Sequence, residues 1–245
     1  MKKWWQSAAW LMMAIPAGAF ATSLDHELAS LHTRLAFEYV TAGQPGLALD
    51  AASKAVATGR DYAPAWLARA HVNAVLTRRD DAERDFRQAL ALTPENGEAN
   101  NNFGLFLCLS GRWQDGARHL TRALSDPRYG ARETAYLNLG RCSLMAGETQ
   151  QAVEHWLAAL RAKPAYPSAL RQLAVMYTNQ GSVERASYYF GRLIEHAGPL
   201  EADDLLLGVR LARLSGDRVR EEAYSGELHT RFPDSRETQQ LLSGI

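Results

Sequence analysis

The chain has 245 residues, with 27 basic and 27 acidic side chains, 47% apolar residues and 2 Cys. That length allows one large domain or two small ones with material for a core, and 6 Trp, 9 Tyr and 7 Phe at this apolar content exclude a disordered tail. A formal net charge of zero offers no electrostatic footprint for nucleic acid, and two Cys are too few for a disulfide scaffold or a Cys-built zinc site.

Residues 1–21 read as a signal peptide. Lys2 and Lys3 form a positive start, Ala8 to Ile15 is an apolar run, and Ala19-Phe20-Ala21 supplies small residues for cleavage after Ala21. The run is shorter than the ~20 residues that cross a bilayer. Its removal takes away two Lys and no acid, leaving a net charge of −2. The expected mature protein is exported to the periplasm, soluble and weakly acidic. No Cys lies near the cleavage point, so no lipobox is expected there.

From Thr22 onward the sequence repeats. Ala36, Ala70, Gly104, Gly140, Ala174 and Gly208 follow one another at intervals of 34, 34, 36, 34 and 34 residues. Twelve residues after each of the first five stand Ala48, Ala82, Gly116, Ala152 and Ala186, and nineteen after the first four stand Ala55, Ala89, Ala123 and Ala159. A period near 34 with small residues in fixed phase marks tetratricopeptide repeats, in which paired helices approach closely only where a side chain is reduced to a methyl or a hydrogen. The fold expected is all-α, a right-handed tetratricopeptide-repeat superhelix of about six helix-turn-helix repeats. These occupy about 29–62, 63–96, 97–130, 133–166, 167–200 and 201–235 of a single domain spanning 22–245.

Large residues such as Trp66, Phe86, Phe103, Leu120, Leu139, Trp156, Leu173 and Phe190 fill the holes between the small sites. Turns are expected at Ala42-Gly43, Ser110-Gly111, Ala146-Gly147, Gln180-Gly181 and Ser215-Gly216, with Gly in the left-handed conformation that ends a helix. Pro94 and Pro164 close two second helices. Asp126-Pro127-Arg128-Tyr129-Gly130 makes one junction two residues longer than the rest, and the last repeat keeps Leu207-Gly208 but loses the small residues of its second helix, as a terminal unit can.

No catalytic set emerges. The seven His show no i, i+4 pair and no His-Glu-x-x-His, and glycine-rich phosphate loops and a Gly-x-Ser-x-Gly elbow are missing. Asp203-Asp204, at a helix start, reads as a capping pair. The protein is therefore expected to be no enzyme, to carry no metal or cofactor, and to bind neither nucleic acid nor a small-molecule substrate. Cys108 and Cys142 fall in the first helices of neighbouring repeats. Such helices pack ~8–10 Å apart and a disulfide needs Cα atoms within ~7 Å, so the pair bridges only if Gly104 and Gly140 let the helices close up; the other reading is two buried thiols. An oxidising compartment leans towards the bridge.

The remaining functional surface is the concave side lined by the first helix of each repeat. Positions one, four and five after the small site, with the position three before it, give Phe37, Leu67, His71, Asn101, Leu105, Leu109, Leu137, Arg141, Leu144, Met145, Arg171 and Val175 as a protein-binding groove. Its mostly apolar lining suits an amphipathic helix or an extended segment of another protein.

Asn100-Asn101-Asn102-Phe103-Gly104-Leu105-Phe106-Leu107-Cys108, Tyr136-Leu137-Asn138-Leu139-Gly140-Arg141-Cys142 and Asp203-Asp204-Leu205-Leu206-Leu207-Gly208-Val209-Arg210-Leu211-Ala212 together resemble the type IV pilus biogenesis/stability proteins, the PilF/PilW group of six-repeat pilotins. The likeness spans essentially the whole mature chain. It implies a scaffold that assists outer-membrane secretin subunits to reach the membrane and assemble, and it favours pairing of Cys108 with Cys142. Many of the group are lipoproteins. Without a lipobox the protein is expected to act as a soluble periplasmic factor, or at the outer membrane through a partner. The second reading is a periplasmic co-chaperone or an adaptor of cell-wall enzymes.

Overall fold

A computed structural model of the protein describes residues 17–244. The expected leader features Lys2, Lys3 and Ala8 to Ile15 lie outside them. The described residues form thirteen helices and no strand, and the chain divides into two compact units, 1–94 and 95–245. The first unit holds α1 (Ala17–Thr41), α2 (Pro45–Thr58), α3 (Ala63–Val75) and α4 (Arg79–Leu92). The second holds α5 (Gly97–Leu109), α6 (Trp113–Ser125), α7 (Arg132–Met145), α8 (Thr149–Ala162), α9 (Pro167–Asn179), α10 (Val183–His196), α11 (Ala202–Ser215), α12 (Arg218–Arg231) and α13 (Arg236–Leu242). Helices α1 to α12 are the six expected pairs. The short α13 was not foreseen; Ser235 starts it by accepting the Thr238 N–H at 3.1 Å.

Each pair closes on its small sites. Ala36, Ala70, Gly104, Gly140, Ala174 and Gly208 are all buried, as are Ala48, Ala82, Gly116, Ala152 and Ala186 on the second helices. At Gly116 an added Cβ would stand 2.6 Å from the Gly104 carbonyl oxygen, so α5 and α6 touch backbone to backbone. Gly140 admits the fully buried Trp156 indole, which donates to the Leu137 carbonyl at 3.3 Å. The glycines therefore admit the second helix of their own repeat. That is the contact between paired helices that the small sites are expected to allow; the further condition, that Gly104 and Gly140 let neighbouring first helices close up, is not what surrounds them.

The long junction spans residues 126–131. Asp126 accepts the backbone N–H groups of Arg128 and Gly97, both at 2.9 Å, and these bonds hold its carboxyl below the usual range. Tyr129 covers Gly97, and its burial pushes the phenol up to about 12.

Gly43, Gly111, Gly147, Gly181 and Gly216 adopt positive φ between 68° and 83°, as the turn reading requires. The second repeat breaks the rule by placing Thr77 there at φ 59°. A β-branched residue in that region is strained by roughly 1–2 kcal/mol. Thr77→Gly is expected to stabilise the first unit by about 1 kcal/mol net, the glycine's larger unfolded-state entropy offsetting part of the relief. Chemical denaturation of the two proteins checks this, and an unchanged or lower midpoint would refute it.

Candidate protein-binding surface

In the first unit, α1 and α3 are neighbouring first helices. Phe37 is exposed on α1 and its ring lies 5.7 Å from that of His71 on α3, where burial lowers the imidazole pKa. Leu67 is buried. Beside it Arg69 makes paired bonds of 2.8 and 2.7 Å to the buried Asp85, whose Oδ2 also accepts from Asn73 at 3.1 Å. The bonds to Asp85 raise the Arg69 pKa despite its burial, and Trp66 stacks on the guanidinium 4.9 Å away. This charged lock between α3 and α4 went unnoticed in the sequence.

In the second unit, the positions after the small site and the position before it behave differently. Leu109, Leu144 and Met145 expose 53, 40 and 42% of their surface, Arg141 is exposed, and Leu105 and Val175 are half-buried. The predicted lining residues three before the small site do not face open space. Asn101 is buried and accepts from the buried Asn138 of the next first helix at 3.0 Å. Leu137 is buried in the core with Leu170 and Leu173. Arg171 donates to Asp204 of α11 through Nε at 2.5 Å and Nη2 at 2.8 Å. Asn101, Leu137 and Arg171, together with Leu67 of the first unit, are thus corrected from groove lining to packing positions. Where the helix leans toward its successor, a side chain at this phase is covered before it can meet a partner.

Asp204 keeps the capping role that the sequence assigned, accepting the Glu201 N–H at 3.3 Å, and adds the bridge from Arg171. Arg171, with its pKa raised by the bond to Asp204, is fixed as a cation. Cys108 and Cys142 are joined in a disulfide whose Cα atoms lie 5.3 Å apart, tying α5 to α7. Leu120 and Leu139 surround the sulfurs. Disulfide, Asn–Asn bond and Arg–Asp bridge all cross from one first helix to the next, and of the second unit's expected groove lining Leu105, Leu109, Leu144, Met145 and Val175 are the apolar side chains that stay within reach of another molecule. No helix among the described residues is long and apolar enough to cross a membrane.

No protein-family model matches the chain. The type IV pilus assembly protein PilF of Pseudomonas aeruginosa is 32% identical over 161 residues, 65% of this chain and 63% of that protein, so the match spans less than two thirds of that relative. The crystal structure of PilW, described as a widely conserved type IV pilus biogenesis factor, superposes with a TM-score of 0.78 at 34% identity, covering 87% of this chain and 98% of that one. The structure of Pseudomonas aeruginosa PilF superposes at 0.75 with 28% identity over 90% of this chain and 99% of its own. Helix pairs in the phase read from the sequence, with 34% identity along nearly all of PilW, place the chain in the PilF/PilW family of type IV pilus biogenesis proteins, which have the tetratricopeptide-repeat fold.

Proposed function

We propose that the protein is exported to the periplasm and serves type IV pilus biogenesis as a non-catalytic scaffold, capturing subunits of the outer-membrane secretin on the first helices of its second unit. The observation that carries this reading is the exposure of Leu109, Leu144 and Met145 at repeating phase on the neighbouring helices α5 and α7. A soluble protein gains nothing by itself from such side chains, whereas a partner's apolar face recovers about 1.5–3 kcal/mol for each one it buries. The relatives' roles in pilus assembly and biogenesis support the choice of machine, and the order of Lys2, Lys3 and the Ala8 to Ile15 run supports export.

Leu109→Asp and Leu144→Asp are expected to lower secretin capture from outer-membrane extracts about tenfold or more each and to abolish twitching motility, with helix content and melting unchanged because both sites are exposed. Full capture and normal twitching in both variants would defeat the reading.

A further inference from the structure

Helix α1 carries an apolar stripe that its own unit covers only at its last residue, and there in part. Leu24, Leu28 and Leu31 expose 66, 43 and 43% of their surface, and the half-buried Leu35 continues the row. Their spacing of four, three and four residues confines the stripe to an arc of about 60° on the helix, the seam geometry of a two-helix coiled coil. The buried Ala29, Thr33 and Ala36 lie on a different face, so packing within the unit leaves Leu24, Leu28 and Leu31 open, while Leu35 rests partly on the Ala36, Ala48 and Val72 core and keeps the rest of its surface exposed.

The charges beside the stripe say what covers it. Asp25 and Glu27 flank its first half, His32 and Arg34 its second. Among the described residues none of these four takes part in an ion pair within the chain. Acid at one end and base at the other make the stripe complementary to its own reversed image. We infer that α1 pairs antiparallel with α1 of a second copy, about a two-fold axis between Ala29 and Ser30. In that register Leu28 meets Leu31 of the second copy and Leu24 meets Leu35 of the second copy. On the flanks, Asp25 faces His32 of the second copy and Glu27 faces Arg34 of the second copy, and every contact occurs twice. A parallel pairing brings Glu27 to His32 of the second copy but sets Arg34 against Tyr39 of the second copy, losing half of the complementarity.

Four leucines from each copy make a small interface, so the assembly is concentration-dependent. The protein as isolated from expressing cells is expected to pass from monomer to dimer in sedimentation equilibrium between about 5 and 500 µM. Leu28→Asp abolishes the dimer. Arg34→Glu sets like charges against Glu27 of the second copy and weakens association about tenfold. Combining Glu27→Arg with Arg34→Glu restores it, a rescue that general stickiness of the leucines does not produce. Circular dichroism confirms that these surface variants fold. A wild-type monomer across the whole range, a dimer indifferent to Leu28→Asp, or a charge swap without rescue would each overturn the inference, as would a monomer whose stripe instead binds phospholipid vesicles.

Discussion

Arg171→Leu is expected to cost about 3 kcal/mol of stability, more than any truncation of the exposed apolar surface. The reason lies in the asymmetry of the pair. Asp204 has 1% of its side chain exposed, whereas Arg171 keeps 27%. Removing the arginine strands a carboxylate whose one other hydrogen bond is the 3.3 Å contact from the Glu201 N–H, and an uncompensated buried charge typically costs about 3–5 kcal/mol. Partial solvent access places the effect at the lower end. Asp204→Asn keeps the shape and a cap acceptor and releases an arginine that can reach water, at a cost of about 1 kcal/mol. Replacing both partners by leucine should recover most of the loss, because neither desolvated charge then remains. Urea midpoints for the three variants decide the matter, and an Arg171→Leu midpoint shift no larger than that of Asp204→Asn would show that the bridge contributes little.

The second large effect belongs to the disulfide. The bond closes a loop of sequence separation 34, and the loop-closure entropy it removes from the unfolded chain is worth about 3–4 kcal/mol. Stability of a domain is commonly about 5–15 kcal/mol, so the loss is a large share of the total. The double variant Cys108→Ala, Cys142→Ala is expected to melt roughly 8–15 °C lower. Wild-type protein in reductant should melt with it, and the variant should ignore reductant. Both sulfurs are buried, so reduction calls for unfolding conditions first. A wild-type melting curve that full reduction leaves in place would refute the estimate. Because the loop lies wholly within residues 95–245, calorimetry should assign the change to the second unit.

Much of this fold was legible from residue spacing because its determinants are local and repeated. A glycine or alanine at a 34-residue interval states where two helices touch, and five of the turns carried the glycine that a positive φ demands. The cysteine pairing was open on geometry alone; the structure gives the bond, while Gly104 and Gly140 turn out to serve their own second helices. The surface was harder. Periodicity says on which side of a helix a residue lies, but the advance of the next helix decides whether it is covered. Asn101 and Leu105 stand one turn apart on α5, yet Asn138 closes over the first while the second keeps partial access. Arg171 reads from the sequence as groove lining because its partner lies 33 residues away. Asp85 was hidden in an ordinary charged stretch, since its partner Arg69, itself held under the Trp66 ring, lies 16 residues away.

An array of near-identical modules faces a hazard of its own: any module could dock beside the wrong neighbour while folding, or exchange with one from another molecule. Here the seams are not interchangeable. Sulfur matches sulfur at one seam, where an amide pair also meets, and a guanidinium matches a carboxylate at another. Each seam thus works as an address, and a module set down one place too early would leave a charge or an amide facing the wrong chemistry. Bonds usually credited with strength would, on this view, also keep the order of the modules.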